Sequence, residues 1–584
     1  MEQKSLFTKL GILFSKRERR YFVGLLFLIL LQTLFDFLGV SLVLPLVNLL
    51  IRPENLEQRG WYRLFASLTP GLDLNGRMLA LVVIIIVVYA VKNLYAIYMT
   101  VVQRTFVIRS QMETSARLLD CYLRKPYSFH LNHNTAEIVR GINNDVSSAY
   151  AVVSNLIIIV TNALIVLLLI AYLIAVDPML TLSIVAGLLL YSVVYALLVR
   201  RPLKRLGEES RGLWKTMLKT VQESIGGIKE VKLMGRERFF VEEYRSDADQ
   251  FVRIYRRHAI LFGIPKRLVE FLVVGGVLAM VAWKIAAHDD LSTIVGSLSA
   301  FAVASFRLLP GTNTVNASVN NVSYYMPGLN AVCQTMAGDV QTAAAAELRG
   351  EHRPADHRRA EITVDHLSFT YPEAEKPVLC DVSMVIPAGA SVGIVGVTGA
   401  GKTTLVDLIL GLLEPQAGRV CFDGADIRRD IPAWQSRIGY IPQNIYLADE
   451  SIRGNVALGV RRDRIDDDQV WKALDAAQLG DFVRGLKDGL DTEIGERGVR
   501  LSGGQRQRIG IARALYYDPD ILFLDEATSA LDTETERAVM ASVRSLSGEK
   551  TCIIVAHRLT TIEHCDEVYE VRDGTVYKRD KNRE

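Results

Sequence analysis

Hydrophobic positions follow two different patterns along this chain. In the first part, six long apolar runs alternate with charged or polar segments; they are residues 21–50, 78–101, 155–176, 179–199, 259–287 and 291–310. An α-helix needs about twenty mostly apolar residues to cross a bilayer. The first part of the chain therefore predicts six transmembrane helices.

Charged residues between these runs predict the orientation of the helices. The basic cluster at 16–20 precedes the first run, and the connections richest in lysine and arginine fall on the same side of the membrane as this cluster. Because basic connections tend to stay in the cytoplasm, we expect both chain ends to be cytoplasmic. Residues 1–20 predict an amphipathic elbow helix on the inner membrane surface, and 52–74 an external segment with a short helix.

From residue 361 onward the apolar runs shorten to strand length and alternate with helical patterns. This alternation predicts an α/β domain, and 361–584 is an ordinary length for one domain. Residues 331–360 turn to alanine, arginine and histidine, which indicates a helix end followed by a linker. We therefore expect a transmembrane domain over 1–330 with cytoplasmic helix extensions, a linker over 331–360, and an α/β domain over 361–584.

Composition narrows the function classes. Half of the 584 residues are hydrophobic and the net charge is +3, with a mean hydropathy of +0.21. These values fit a chain that is part membrane and part globular, and the small net charge gives no support for a nucleic-acid partner. The six cysteines have neither CxxC nor zinc-site spacing, so we expect ordinary reduced thiols. The first apolar run is too long for a cleavable signal peptide.

The first motif of the α/β domain that indicates a function is a glycine-rich loop. The segment 396–404 reads GVTGAGKTT, between an apolar strand-like run and a helical pattern. The pattern G-x-x-x-x-G-K-[ST] in this context is a phosphate-binding loop, whose backbone N–H groups surround phosphates. Lys402 is expected to reach the β- and γ-phosphates and Thr403 to place its hydroxyl on Mg²⁺. The predicted nucleotide-binding residues of this loop are Gly396, Gly399, Gly401, Lys402, Thr403 and Thr404.

A second apolar run, 521–524, ends in Asp525 and Glu526. A carboxylate at the end of a buried strand beside a phosphate loop holds Mg²⁺, directly or through water. We expect this role for Asp525, whereas Glu526 is placed to polarise an attacking water. The expected cofactors are therefore ATP and Mg²⁺, and the expected reaction is ATP hydrolysis.

Between these motifs lies the segment 501–505, LSGGQ, at the start of a helical pattern. With these spacings, the chain resembles the ATP-binding cassette (ABC) family over nearly its whole length. The resemblance implies that the signature residues bind nucleotide; they are Ser502, Gly503, Gly504 and Gln505.

The same resemblance implies roles for several single residues. Tyr371 matches the aromatic that stacks on adenine. Gln443 matches the glutamine that senses the γ-phosphate, contributes to the Mg²⁺ site and couples to the membrane domain. His557 matches the switch histidine of the catalytic site. The segments 492–498 and 529–532 resemble the exporter-specific loop and the D-loop, and the inner turns at 127–135 and 226–238 resemble coupling helices.

The architecture implied by the resemblance is a type IV ABC exporter: a polytopic α-helical membrane domain with six transmembrane helices, followed by an α/β P-loop nucleotide-binding domain. One cassette per chain implies a half-transporter that works as a homodimer. Each of two composite ATP sites would lie between Lys402 of one subunit and Ser502 of the other. The expected location is the bacterial inner membrane, as a multi-pass protein.

Three cations inside the apolar runs bear on the substrate. Lys92, Lys266 and Arg307 lie in the second, fifth and sixth runs. Charges within the bilayer are costly and often mark functional sites, so three cations at related depth suggest a binding site for an anionic head group. The structural alternative is that Lys92 pairs with Asp36, Lys266 pairs with Glu270, and Arg307 extends to the interface.

Within the exporters, the membrane part resembles the bacterial flippases for lipid-linked oligosaccharides. The resemblance lies in Asp36 followed by SLVLP at 41–45, in Pro265-Lys266 with Glu270, and in FRLLP at 306–310. It implies ATP-driven flipping of a polyprenyl-pyrophosphate-linked oligosaccharide. Two of the three cations are lysines, which lack the bidentate fork of arginine, so we expect a different mode of head-group recognition.

Two alternatives remain open from the sequence. A lipid A-type or multidrug ABC exporter would share every cassette motif, and its spans would form an apolar, adaptable cavity. A soluble ABC ATPase without transport belongs to another class and is opposed by the six apolar runs.

Overall fold

The computed structural model describes residues 5–42, 73–176, 178–286, 291–338, 360–372, 374–526, 548–556 and 562–579, with isolated positions between 67 and 69 and between 536 and 544. The chain forms two compact units. The first comprises Met1–Lys125 and His133–Thr342, and the second Pro126–Asn132 and Ala343–Glu584. Most of the predicted external segment 52–74 lies outside the described residues.

The first unit is helical. Its elements are α1 (Leu6–Leu13), α2 (Lys16–Ser41), α3 (Leu74–Leu123), α5 (Thr135–Arg140), a π-helical turn (Gly141–Asp145), α6 (Val146–Val176), α7 (Pro178–Gly226), α8 (Ile228–Met234), α9 (Glu237–Ala286) and α10 (Leu291–Gly338). The short helix α4 (Tyr127–Asn132) belongs to the second unit. The six predicted apolar runs fall on α2, α3, α6, α7, α9 and α10.

Several of these helices are longer than a bilayer requires. α3 has 50 residues, which at about 1.5 Å per residue is roughly 75 Å, more than twice the hydrocarbon thickness. By length and hydropathy, three helices of the described part are long and apolar enough to cross a membrane: Lys16–Gly39, Asn75–Leu123 and Thr135–Ala175. A fourth span results if the bent pair Thr181–Tyr195 and Leu197–Gly226, with 40° between its halves, is counted as one helix. α10 runs to Gly338 and contains Pro310 and Pro327.

Packing within the helical unit separates an inner core from an outward apolar surface. One core cluster joins α1, α2, α3, α6 and α10 and includes Leu13, Ile29, Met99, Tyr150 and Leu329, all at most 1% exposed. On the outer faces of the same helices, Phe27 is 70% and Leu94 68% exposed. Large apolar surfaces of this kind require a partner that is itself apolar, and bilayer lipid satisfies that requirement.

The second unit contains two sheets. The strands are β1 (Ile362–Phe369), β2 (Leu379–Ile386), β3 (Ser391–Val395), β4 (Ala417–Phe422), β5 (Ala425–Asp426), β6 (Ile438–Ile441), β7 (Ile521–Asp525), β8 (Thr551–Val555), β9 (Glu567–Arg572) and β10 (Thr575–Arg579). One sheet has the order β2-β1-β4-β5, and the other β10-β9-β3-β8-β7-β6. The first is antiparallel.

The larger sheet positions the candidate site. Its strands β9, β3, β8, β7 and β6 pair in parallel, and β7 and β8 are buried throughout. Helix α11 (Lys402–Ile409) follows β3. The later α-helices of this unit are α12 (Ile431–Gln435), α13 (Ile452–Val456), α14 (Asp467–Ala476), α15 (Gly480–Arg484) and α16 (Gly503–Leu515). In open parallel sheets, ligands bind beyond the carboxyl ends of the strands. The phosphate loop after β3 and the carboxylates at the end of β7 therefore meet at one edge of the sheet.

Candidate functional site

The loop between β3 and α11 has the backbone geometry of a phosphate cradle. Gly399 has φ +82° and Gly401 φ +101°, conformations that side chains with a Cβ rarely adopt. A Cβ at Gly401 would also lie 3.0 Å from the Leu379 side chain and 3.2 Å from the Val378 carbonyl oxygen. These two positions therefore require glycine, and Gly401 directly precedes the positive end of α11.

Lys402 is held inside this loop. Lys402 is 6% exposed, and its Nζ donates hydrogen bonds to the carbonyl oxygens of Gly396 at 2.8 Å and Val397 at 3.2 Å. Burial lowers the pKa of the ammonium, and the Glu526 and Asp525 carboxylates oppose that shift. An ammonium that is positioned by loop carbonyls and desolvated suits the phosphates of a nucleotide.

Two further predicted residues flank the loop. Thr403 is exposed, so its hydroxyl is free to meet a ligand. The Thr404 hydroxyl lies 3.2 Å from the Tyr371 hydroxyl, and the Tyr371 ring packs edge-on against Phe369 at 5.0 Å between centroids. The predicted adenine platform is thus tied to the phosphate loop, while its stacking role stays a prediction.

The acidic pair at the end of β7 lies against β6 and the segment that follows it. Asp525 is 8% exposed and accepts from the Tyr440 hydroxyl at 3.3 Å. Glu526 has φ +49°, an uncommon conformation for a residue other than glycine, and its Oε2 accepts from Gln443 Nε2 at 2.7 Å. The structure therefore brings together the four residues expected to handle the phosphates, the metal and the water: Lys402, Gln443, Asp525 and Glu526.

Sequence reasoning missed two members of this cluster. Tyr440 contacts Asp525, as described, because β6 pairs with β7 and aligns Tyr440 with Phe523. This pairing is not visible in the sequence alone. Asp407 lies on α11, is 8% exposed, and has its pKa raised from 3.8 to about 6 by burial and by the Asp525 carboxylate. The sequence indicated Asp407 only as a single acidic residue on the apolar face of α11.

The signature segment caps a different helix, α16 (Gly503–Leu515). The Ser502 hydroxyl accepts from Gln505 N at 3.2 Å, and the Gln505 side chain accepts from Ser502 N at 2.8 Å. This reciprocal capping box leaves the backbone donors of Gly503 and Gly504 at the positive end of the helix. Within the described part of the chain, no hydrogen bond joins these four residues to the phosphate loop.

A second missed feature links α16 to the segment after Gln443. Arg513 donates to the Tyr446 carbonyl at 2.7 Å and to the Asn455 carbonyl at 2.8 Å. Asn455 is fully buried and bonds both ways with the Ala448 backbone at 2.9 and 3.0 Å. We call Arg513 and Asn455 the loop clamp, because they fix residues 446–455 to the signature helix.

Some predicted site residues lie outside the described part of the structure. They are His557, the segment 529–532 and the side chain of Arg307. Their roles stay as the sequence predicts them.

The two remaining intramembrane cations have different surroundings. Lys92 of α3 pairs with Asp36 of α2 at 3.3 Å, with side chains 12% and 5% exposed, and its ammonium lies 4.7 Å from the centre of the Tyr89 ring. Lys266 is exposed. Glu270 pairs with Arg267 at 3.4 Å. Lys92 thus occupies the position that the structural alternative assigns to it, and Lys266 remains available to a ligand.

The nucleotide site offers donors that fit ATP and Mg²⁺. The loop supplies positive charge, backbone donors and an exposed Thr403 hydroxyl, and Asp525 supplies a carboxylate beside it. Among the described residues, no group of three or more His, Cys, Asp or Glu side chains could hold a metal ion by itself. A divalent ion here would share its ligands with the phosphates of the nucleotide.

Comparison with known families gives two matches. A model described as "ABC transporter" matches residues 379–529, and one described as "ABC transporter transmembrane region" matches 22–305. Together they include the phosphate loop, the signature segment, the acidic pair and most of the helical unit.

Curated relatives and a solved structure agree with these matches. The ATP-dependent lipid A-core flippase of Cupriavidus metallidurans is 33% identical over 472 residues, 80% of this chain and 78% of the relative. The protein of the same name from Ralstonia nicotianae is 31% identical over 513 residues, 87% and 85% of the two chains. The structure of a bacterial Atm1-family ABC exporter with ATP bound matches with TM-score 0.77 at 24% identity, covering 96% of this chain and 95% of the other, which establishes a common fold.

Proposed function

Because this chain belongs to the ABC transporter family, we propose that it flips an anionic glycolipid of the lipid A-core type across the bacterial inner membrane. The observation that carries the proposal is the similarity over most of the chain to proteins named ATP-dependent lipid A-core flippase. The predicted type IV exporter fold and the predicted coupling of ATP hydrolysis to transport are confirmed. The chain is also a multi-pass membrane protein.

The proposed substrate differs from the one that the sequence favoured. The main expectation was a polyprenyl-pyrophosphate-linked oligosaccharide; the curated relatives favour the lipid A-type alternative instead. Both lipids carry sugars and phosphates, so both would require cations or polar groups along the path. The pairing of Lys92 with Asp36 at 3.3 Å neutralises one of the three cations on which the first expectation rested.

Hydrolysis is assigned to the residues at the edge of the larger sheet. Lys402 would bind the phosphates with the loop backbone, and Glu526 would orient the attacking water with His557. Gln443 holds the Glu526 carboxylate, at 2.7 Å, and so links hydrolysis to the segment that the loop clamp fixes. Thr403, Gln443 and Asp525 would hold Mg²⁺, and the bound ion would supply positive charge beside the phosphates.

A second copy of the chain completes the proposed transporter. The signature segment makes no hydrogen bond to its own phosphate loop within the described residues, yet it presents backbone donors at a helix N-terminus, which favours an anion. Two copies would form two composite sites, each with Lys402 from one subunit and Ser502 from the other. Both chain ends would lie in the cytoplasm.

The test uses the purified protein in nanodiscs and in proteoliposomes. ATP hydrolysis and lipid flipping are measured with a lipid A-core glycolipid, with a polyprenyl-pyrophosphate oligosaccharide and with a hydrophobic amphiphile. The proposal expects stimulation and flipping by the first lipid, and loss of both in Glu526→Gln, since a general base contributes about 10²–10⁴-fold. Glu563→Gln, an exposed glutamate of the same unit, is the control.

A response to the polyprenyl lipid alone would restore the first expectation for the substrate. A response to the amphiphile alone would instead indicate a multidrug exporter. Either result would exclude the proposed glycolipid as the substrate, and neither would contradict the assignment of the ATP site.

A further inference from the structure

A cavity of about 570 Å³ with several charged and polar lining residues lies in the helical unit. Its walls come from the C-terminal part of α3, the start of α6, the second half of α7, the first half of α9 and the C-terminal part of α10. These parts extend beyond the apolar runs on the same side as the N-terminus. The cavity therefore lies at the predicted cytoplasmic end of the unit, and its lining residues do not include Lys92 or Lys266.

Positive charge exceeds negative charge on the cavity wall. Arg211 binds the Asp145 carboxylate with two hydrogen bonds, of 2.8 and 2.9 Å. Arg140 lies 3.7 Å from the same carboxylate and 3.6 Å from Glu137, but Glu137 is also paired with Lys215 at 3.2 Å. Two guanidinium groups on the wall thus share one lining carboxylate.

Arg140 has a hydrogen-bond donor to spare. The residue is 4% exposed, and its Nε has no hydrogen-bond partner among the described residues. A buried charged donor without a partner is costly. An anion in the cavity would balance the excess charge of the wall.

The backbone beside Arg140 is irregular. The π-helical turn Gly141–Asp145 directly follows it, and such turns occur frequently at functional sites. A Cβ at Gly141 would lie 2.8 Å from the Tyr122 hydroxyl, so this turn packs too tightly for a side chain. The turn places Arg140 and Asp145 on the wall of the same cavity.

The rest of the wall suits a sugar. Trp214 and Phe251 contact each other at 5.9 Å between ring centres, and the His258 ring lies 4.3 Å from that of Tyr324. Aromatic faces pack against the C–H face of a sugar ring, and polar tips can bond its hydroxyls. His258 Nε2 is buried without a hydrogen-bond partner in the described part of the chain, and Ser147 and Asn143 add exposed polar groups.

We propose that this cavity binds a phosphorylated sugar, with the phosphate on Arg140 and Arg211 and the sugar ring among Trp214, Tyr324 and His258. The inference rests on the proposed function, because the head group of the transported glycolipid is one source of such a ligand. The cavity then receives the head group before the lipid is flipped. A soluble sugar phosphate has the same chemistry and is the other source.

Binding is measured by calorimetry on the full-length protein in nanodiscs, with glucosamine 1-phosphate as the probe and glucosamine as the uncharged comparison. All proteins carry Lys402→Ala, so that the nucleotide loop does not contribute a phosphate site. Arg140→Gln removes the buried charge, and Ser147→Trp fills the cavity while keeping every charge. Arg205→Gln removes an equal charge from α7 at an exposed pair with Glu209 and is the matched control.

The expected result is binding of glucosamine 1-phosphate but not glucosamine, weakened about tenfold or more by Arg140→Gln, as loss of a charge-assisted hydrogen bond predicts. Ser147→Trp should weaken it likewise and Arg205→Gln should not. Equal affinity in all four proteins, or no binding by the parent, overturns the proposal. If Arg140→Gln fails to fold, the affinity of Ser147→Trp for glucosamine 1-phosphate still tests whether the cavity is the binding site.

The source of the ligand is decided in a second arm. Lipid A-core glycolipid is added to the nanodiscs, and competition with the soluble probe assigns the cavity to the lipid head group. Binding without competition assigns it to a soluble sugar phosphate and overturns its link to transport. Absence of glycolipid flipping by the unmodified protein would refute the proposed function instead, and the comparison of variants would still decide whether the cavity binds sugar phosphates.

Discussion

At the scale of single residues, the pair of Lys92 and Asp36 allows a structural role of an intramembrane cation to be tested against a role in substrate binding. The pair is nearly buried, and the two helices approach closely, since a Cβ at Gly39 would lie 3.3 Å from the Lys92 side chain. Removing one member of a buried pair leaves an uncompensated charge and typically costs about 3–5 kcal/mol, whereas replacing both is often neutral.

We therefore expect Lys92→Met and Asp36→Leu each to lower the thermal unfolding temperature, and the double variant to recover most of the loss. Thermal unfolding in detergent measures this, and lipid-stimulated ATP hydrolysis provides the second readout. A double variant that is stable and still stimulated by lipid assigns Lys92 to structure. Stability without stimulation would instead mean that Lys92 contacts the substrate.

We expect Asp407 to make the stability of the nucleotide-binding unit depend on pH. Its pKa is raised from 3.8 to about 6 by burial and by Asp525, so the folded state retains a proton that the unfolded state has lost. Stability therefore falls as pH rises from about 4 to about 6, and above that the folded state bears the whole cost of ionising Asp407, on the order of 3 kcal/mol.

Asp407→Asn should remove this dependence. In nucleotide-free protein, we expect the unfolding temperature of the variant at pH 7 to exceed that of the parent, and the difference to shrink toward pH 4. The measurement is thermal unfolding across this range in the absence of Mg²⁺. An equal slope in both proteins would show that other groups dominate.

The sequence predicted the site residues that belong to local motifs and missed those that depend on packing between elements. The phosphate loop and the acidic pair are read from strand, loop and helix in order, and the structure places them together. Tyr440 and Asp407 reach Asp525 from a neighbouring strand and from the P-loop helix. Their contacts are set by sheet register and burial, which one sequence with no structure expresses only weakly.

At the scale of elements, the loop clamp connects α16 to the segment after Gln443. Arg513 supplies bonds to two backbone carbonyls, and Asn455 has no exposed surface. If the clamp is lost, the carbonyls of Tyr446 and Asn455 lose a charged donor, and the segment that carries Gln443 toward Glu526 becomes less well positioned.

Arg513→Gln should therefore reduce ATP hydrolysis through kcat more than through the KM for ATP, and should lower stability by about 1.5–3 kcal/mol, the usual value for a hydrogen bond to a charged group. Arg508→Gln on the same helix, which loses a single bond to the Gln478 carbonyl, is the control. If both variants lose the same activity, the clamp has no special role in positioning the segment.

The helices show the same division between local and non-local information. Hydrophobic runs located α2, α3, α6, α7, α9 and α10, because run length and polarity are properties of the sequence alone. The π-helical turn Gly141–Asp145 was not predicted, since its residues are an ordinary polar segment after a helix. Its register is set by Gly141 against Tyr122 and by the Asp145–Arg211 pair, contacts between residues far apart in the chain.

At the scale of the whole molecule, the proposed composite sites concern the two phosphate-binding segments of each chain. The phosphate loop and the signature helix each offer backbone donors to an anion, and no hydrogen bond joins them within the described part of one chain. The proposal that one nucleotide contacts the phosphate loop of one chain and the signature helix of another can be tested by combining defects in different arrangements.

Consider heterodimers purified through two affinity tags. When one chain carries Lys402→Ala and the other Ser502→Phe, composite sites leave one site intact and collect both defects in the other. When one chain carries both substitutions and the other none, each composite site contains one defect. Composite sites therefore predict ATP hydrolysis by the first heterodimer and almost none by the second, since an active site needs both an intact lysine and an intact signature.

Sites confined to single chains predict the reverse order, because the unmodified chain would then retain a complete site. The same mutations and the same number of defects are present in both heterodimers, so instability of either substitution would lower both activities and could not by itself produce the predicted order.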